Sequence, residues 1–149
     1  MNHRQSFFLF CEHGNLERVT NLVKKKLFDI NIRNENGWTG LIIACFNSHI
    51  DVASFLILNG ANVNAVNDNG TSVFMYAKTP VLQDFQGIYI LDLLIRNGAE
   101  INHLDRFSKT VLDYVRQHKN EELSEWLVSK GAKFSYDLDI GDEQLKKSN

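Results

Sequence analysis

Five histidines, two cysteines and a scatter of carboxylates are the groups in this chain that could do chemistry, and their spacing supports little of it. His3, His13, His49, His103 and His118 are dispersed, with no spacing that would gather metal ligands. Cys11 and His13 are near enough in sequence for a thiolate–imidazole pair, but no third group stands by to orient the base. Two cysteines are too few for a disulfide framework. The chain has no phosphate-cradling glycine loop, no nucleophile elbow and no paired-histidine zinc motif. Asn69-Gly70-Thr71 has the form of a glycosylation acceptor but reads more simply as a tight turn. The expectation is a recognition surface, with no catalytic residue, metal or cofactor.

Composition agrees with that expectation. A length of 149 residues, 44% of them hydrophobic, suits one domain able to bury a real core. A net charge of −2 argues against a strongly basic nucleic-acid binder. One proline and nine glycines exclude collagen-like or Pro/Gly-rich chains. No apolar run approaches the roughly 18 residues that span a bilayer. The run over residues 7–11 is too short for the core of a secretion signal. These features predict a soluble cytoplasmic protein, monomeric when free, with no membrane and no nucleic acid among its partners.

What must position such a surface is a repeat. Asn59-Gly60-Ala61-Asn62-Val63-Asn64 returns as Asn97-Gly98-Ala99-Glu100-Ile101-Asn102 and as Lys130-Gly131-Ala132-Lys133-Phe134-Ser135, at steps of 38 and 33 residues. A weaker copy, Asp29-Ile30-Asn31, precedes them by 33. Gly37-Trp38-Thr39-Gly40-Leu41 recurs 33 residues on as Gly70-Thr71-Ser72-Val73-Phe74, and then as Ser108-Lys109-Thr110-Val111-Leu112. Between these landmarks lie paired apolar stretches at helical spacing, such as Val52, Phe55 and Leu56 on one face. Thr39, Ser72 and Thr110 are placed to cap the first helix of a pair, and Gly60, Gly98 and Gly131 to end the second.

The pattern resembles ankyrin repeats, best in the second unit, which keeps Gly37, Thr39, Leu41, Ala44, His49, Asp51, Leu56, Gly60, Ala61, Val63 and Asn64. The resemblance covers residues 6–135. It implies an all-α solenoid of four helix-turn-helix units (5–33, 34–66, 67–104 and 105–135) joined by short β-hairpins, in a domain over 1–135. A mobile tail is expected over 136–149. The family's proline after the threonine is replaced by Gly40, Val73 and Val111, and its histidine by Ile42, Met75 and Asp113, so the usual threonine–histidine network is missing. Pro80 is expected to stop the third unit's first helix and to leave residues 81–86 as a loop. His49 falls at the family's Gly-His position and reads as structural, as does Trp126 beside Leu123 and Leu127. The two cysteines take equivalent slots on adjacent first helices. Packed axes about 8–10 Å apart exceed the roughly 7 Å a disulfide allows, so both are expected as free thiols.

The resemblance also implies a function: binding another protein through a concave face made of hairpin tips and first helices. On this chain that face maps to Glu12 and His13; to Glu35, Asn36, Trp38, Phe46 and Asn47; to Asp68, Asn69, Thr71 and Thr79; and to Arg106, Phe107, Lys109, Gln117 and His118. Trp38, expected at an outward-facing tip, is the leading anchor. Residues 34–105 hold two cations against seven acids, a surplus of −5 that suits a partner with a basic patch, while residues 1–33 carry +3. Lys24-Lys25-Lys26 reads as cations at a helix C-terminus. Small bacterial members of the family include immunity proteins that plug a toxin and effectors delivered into hosts, and both remain open as specialised forms. Asn64 matches the asparagine that is hydroxylated in some members.

Overall fold

A computed structural model of the chain describes residues 1–138. These residues form eight α-helices in four successive pairs. The inner helices are α1 (His3–Glu12), α3 (Gly40–Phe46), α5 (Val73–Gln83) and α7 (Val111–Gln117). The outer helices are α2 (Leu16–Lys24), α4 (Ile50–Leu58), α6 (Tyr89–Arg96) and α8 (Glu121–Ser129). Short 3-10 turns cover Phe85–Ile88 and Ser135–Asp137. Each inner helix packs on the next, α1 on α3, α3 on α5 and α5 on α7, while α2 packs on α4 and α4 on α6. One continuous core therefore runs between the two rows, from Phe7 through Leu41, Leu56, Phe74 and Leu94 to Leu112 and Leu127. The arrangement is the expected all-α solenoid. The tail expectation falls, from residue 139 onward, outside the described residues.

The inner helices begin as their sequence dictates. Thr39, Ser72 and Thr110 each accept a backbone N–H three residues on, at 3.2, 3.2 and 3.4 Å. The absent histidine network has a local substitute in the last unit. The Asp113 carboxylate accepts the Thr110 N–H at 2.8 Å and the Ser135 N–H at 3.3 Å, closing a capping box. Burial alone would raise the Asp113 carboxyl, but these bonds outweigh it and hold the group below its ordinary value. Gly40, in the family's proline slot, has a packing role. A Cβ built there would lie 2.5 Å from the Phe7 ring, so glycine lets α1 press onto the first turn of α3.

Between units the chain turns on one recurring device. Asn34, Asn67 and Asp105 each fold a side-chain oxygen over two N–H groups of their own turn: Asn36 and Trp38, Asn69 and Thr71, Phe107 and Lys109. Gly37 and Gly70 close the first two turns at φ 75° and 71°, where other residues strain; Ser108 does so at φ 55° in the third. The expected hairpins shrink to single β-bridges, Arg33 with Thr39 and Val66 with Ser72. The side chain closes the turn, and the helix begins after one paired residue.

Adjacent units are also stitched at their outer ends by asparagine. Asn31 donates to the Gly60 carbonyl and accepts the Asn62 N–H, Asn64 does the same with Gly98 and Glu100, and Asn102 with Gly131 and Lys133.

Pro80 requires a correction. It does not end its helix, because α5 continues through it to Gln83. Proline removes one N–H from the ladder, but the following turn is held by Val81, only 1% exposed, and by the Asp84 N–H on the Pro80 carbonyl at 3.1 Å. Asp84 is extended (φ −141°, ψ 101°), and residues 85–88 follow as a 3-10 turn leading into α6.

Candidate functional site

The inner helices and turn tips enclose a groove of about 890 Å³ between α1, the first tip and α3. Its apolar floor comes from Phe8, Leu9, Trp38, Ile43 and Phe46, and its rim from Arg4, Glu12, Glu35, Asn36 and Asn47. Five residues expected on the binding surface, Glu35, Asn36, Trp38, Phe46 and Asn47, thus line one concavity. Glu12 joins them, whereas His13 turns back to the Leu9 carbonyl at 2.8 Å.

Trp38 is not the free outward anchor expected of it. It is half-buried, with its ring 4.9 Å from Tyr76 and 5.5 Å from Phe46. Tyr76 also meets Phe46 edge-on at 6.0 Å, so the three rings form a box across the junction of the second and third units. The Tyr76 hydroxyl accepts from Asn67 Nδ2 at 2.8 Å, which ties the box to the second turn. Phe46, 37% exposed, offers the open edge of the box to the groove.

The next junction repeats the geometry with different chemistry. Tyr114 lies 38 residues after Tyr76, and its hydroxyl donates to Asp105 Oδ2 as Tyr76 pairs with Asn67. Where Tyr76 has rings around it, Tyr114 has ammonium groups. Lys78 Nζ lies 5.3 Å and Lys109 Nζ 5.5 Å from its centroid. Burial pulls the Lys78 amine down to about 8, with Asp105 opposing the shift. Burial and the bond to Asp105 push the Tyr114 phenol up to about 12.

Of the other expected residues, Asp68, Asn69 and Arg106 are engaged across the tips. Arg33 pairs with exposed Asp68 at 3.0 Å, and Arg106 reaches Asn69 Oδ1 at 2.9 Å. Phe107 stays 63% exposed with the Arg106 guanidinium 5.5 Å from its ring centroid. Thr71 is half-buried in the slot Trp38 holds one unit earlier. Thr79 and His118 flank a smaller hollow beside Lys78, and Gln117 is exposed. Tyr76, Lys78, Tyr114 and the α1 residues Phe8 and Leu9 were missed from sequence. The coincidence of two tyrosines in one repeat slot could have flagged the first and third.

The remaining chemistry is structural. Cys11 and Cys45 are buried free thiols, Cys11 pushed up to about 12 and Cys45 higher still by burial. His49 holds the Glu12 carbonyl at 2.8 Å, joining α4 to the end of α1. Trp126 packs half-buried against the core. Among the described residues no group of three or more His, Cys, Asp or Glu side chains could hold a metal ion, and no helix is long and apolar enough to cross a membrane.

Stacked helix pairs, capped inner helices and a groove of turn tips define a class. A family model described as ankyrin repeats (3 copies) matches residues 7–80, and the chain belongs to the ankyrin-repeat proteins. It is 29% identical over 129 residues to the putative ankyrin repeat protein YahD of Escherichia coli (strain K12), a match covering 85% of this chain and 63% of that protein. It is 51% identical over 57 residues to protein phosphatase 1 regulatory subunit 27 of Mus musculus, covering 38% of this chain and 36% of the relative. The human NAD-capped RNA hydrolase NUDT12 is 26% identical over 132 residues, covering 83% of this chain and 28% of the hydrolase. The chain thus spans less than two thirds of each of these relatives. Ankyrin repeats are protein–protein interaction modules, typically without catalytic activity.

Proposed function

We propose that this protein is a non-enzymatic binding module whose repeat domain, residues 1–135, seats one partner protein on its concave face and acts by occupying that partner's surface. The groove with the Trp38–Tyr76–Phe46 box at its edge carries this reading. Aromatic rings in an open concavity, ringed by polar side chains, are what a hot spot needs: a large apolar contact area beside groups that exclude water.

The groups of ordinary catalysis do not gather there. Both thiols are buried and hard to ionise, and His49 is committed to a backbone carbonyl. The partner need not be basic throughout. Of the acids between 34 and 105, Asp51 and Asp92 lie on outer helices, Asp92 paired with Arg96 at 2.8 Å, and Asp105 is buried in its turn. Exposed Glu12 and Glu35 on the groove rim are where a basic patch would be met. Nucleic acid is a poor occupant of a groove whose rim carries Glu12 and Glu35, and the module is monomeric when free, its apolar groove being small enough to tolerate water. A phosphatase regulatory subunit among the relatives is in keeping with a module that works by holding another protein.

A photo-crosslinking amino acid placed at Phe46 or Phe107 in the native cell tests the reading against the same probe at Leu58, 82% exposed on the outer row. One recurrent protein adduct from the first two positions is expected. An adduct confined to Leu58 would assign binding to the opposite face.

A further inference from the structure

We propose that the partner's bound segment is acidic where it crosses the third and fourth units, with its carboxylates held by Lys78 and Lys109 over the face of Tyr114. The inference rests on the concave-face reading and adds the chemistry of what that face takes.

Three observations carry it. First, the two ammonium groups share one ring. At 5.3 and 5.5 Å from the Tyr114 centroid they lie within about 11 Å of each other. Acids at alternate positions of an extended segment project from one side about 7 Å apart, a separation this pair accommodates.

Second, Asp105, the acid whose charge acts on Lys78, makes no direct bond to either lysine ammonium, because its oxygens are taken by other donors. Asp105 Oδ1 accepts the N–H groups of Phe107 and Lys109, and Oδ2 accepts the Tyr114 hydroxyl. Among the described residues neither lysine makes an ion pair with a carboxylate; Lys78 Nζ bonds only the Met75 carbonyl, at 2.9 Å. Asp105 offsets only part of the cost of half-burying the Lys78 ammonium, and an arriving carboxylate in direct contact would stabilise it further. The depressed basicity of Lys78 agrees with this state.

Third, the contrast with the preceding junction is local and specific. Tyr114 takes the repeat slot of Tyr76, but the slots of Trp38 and Phe46 in the unit before it hold Thr71 and Thr79, so no rings box Tyr114 and the ammonium groups of Lys78 and Lys109 lie over it instead. A segment that leaves the groove and continues along the concave face over the third and fourth units therefore meets apolar contacts first and cations after, which fixes its direction as well as its composition. A basic segment would meet Lys78, Lys109 and Arg106 together and be repelled there.

The test uses the full chain and a displayed library of random 16-residue peptides as probe. Enriched peptides are expected to combine an aromatic or aliphatic anchor with two or more acids to one side of it. By fluorescence anisotropy they should bind the double variant Lys78→Gln, Lys109→Gln about ten-fold more weakly, and more weakly still in high salt. Lys109→Arg should retain most of the affinity. Lys109→Glu, at a surface turn, serves as a second variant should Lys78→Gln perturb folding, and should shift enrichment from acidic to basic peptides. Enriched peptides that are neutral or basic, or acidic peptides indifferent to both lysine changes, would overturn the inference while leaving the concave-face reading intact, provided Trp38→Ala still weakens them. Peptides insensitive to Trp38→Ala and to the lysine changes alike, or no enrichment at all, would remove both.

Discussion

At the scale of single residues, Trp38 holds two duties that are usually separate. It packs against Tyr76 and Phe46 across a unit junction, and with Phe46 it forms apolar floor for the groove. Removing the Tyr76 hydroxyl separates scaffold from surface. Tyr76→Phe keeps the ring and strands only Asn67 Nδ2, so it should cost about 1 kcal/mol in urea unfolding with groove binding unchanged. The ionisable residues give a signed pH prediction. Cys11 and Cys45 are raised from 9.0 in the folded state. Above pH 9 the unfolded chain therefore sheds protons the folded chain keeps, and stability falls as pH rises, by about 1 kcal/mol for each thiol at pH 10. Tyr114, also raised, adds to the loss above pH 10. Lys78 acts in the opposite sense. Its pKa falls from 10.5 to about 8, so between those values the unfolded chain carries the extra proton and stability rises with pH. Urea titrations at pH 8 and pH 10 should therefore show Cys45→Ala losing less stability than the parent over that interval, and Lys78→Met losing more. Parallel pH dependences in all three proteins would contradict these burial-driven shifts.

At the scale of elements, most of the fold was written in local signals that act over a few residues. Hydroxyl caps at Thr39, Ser72 and Thr110, the turn residues Asn34, Asn67 and Asp105, and Gly60, Gly98 and Gly131 after the last three outer helices impose their geometry with little help from tertiary context. What stayed hidden depended on neighbours in space. Pro80 signals a helix end, and Val81 and Leu82 packing on the core overrode that signal. Pro80→Ala should accordingly leave α5 intact and stabilise the protein by about 1 kcal/mol or more, read from the thermal midpoint, since an N–H returns to the ladder. Melting of residues 80–83 or a lower midpoint would show that proline is needed there. The groove was legible in part for the same reason. Glu35, Asn36, Trp38, Phe46 and Asn47 follow from the repeat register, but Tyr76 beside the groove and Lys78 beyond it gain their roles only because the third unit's inner helix lies against the rings and turns of its neighbours. Asn64 shows how an element junction is fixed. Its side-chain amide both donates and accepts across to the next unit, so Asn64→Ala should cost about 1–2 kcal/mol in denaturant unfolding, whereas an exposed asparagine without partners would cost almost nothing.

At the scale of the whole molecule, the chain is a row in which each helix pair leans on its sequence neighbours. The interior pair should be the most protected part. Residues 40–45 of α3 are all buried, held by α1 on one side and α5 on the other, so their amides should exchange most slowly with solvent, with α1 and α8 opening first. Among the described residues the same linear arrangement leaves one long face uncovered, with Glu12 and Glu35 toward one end and Lys78 and Lys109 toward the other, and this is the face proposed to take the partner. The binding affinity of the cellular protein captured by crosslinking tests that role most directly, measured for the parent, for Trp38→Ala and for Leu58→Ala. Trp38→Ala should weaken binding by about 2 kcal/mol, some thirty-fold, while Leu58→Ala leaves it unchanged. A folded Trp38→Ala protein that binds as tightly as the parent, with Leu58→Ala the weaker of the two, would contradict a partner seated in the groove.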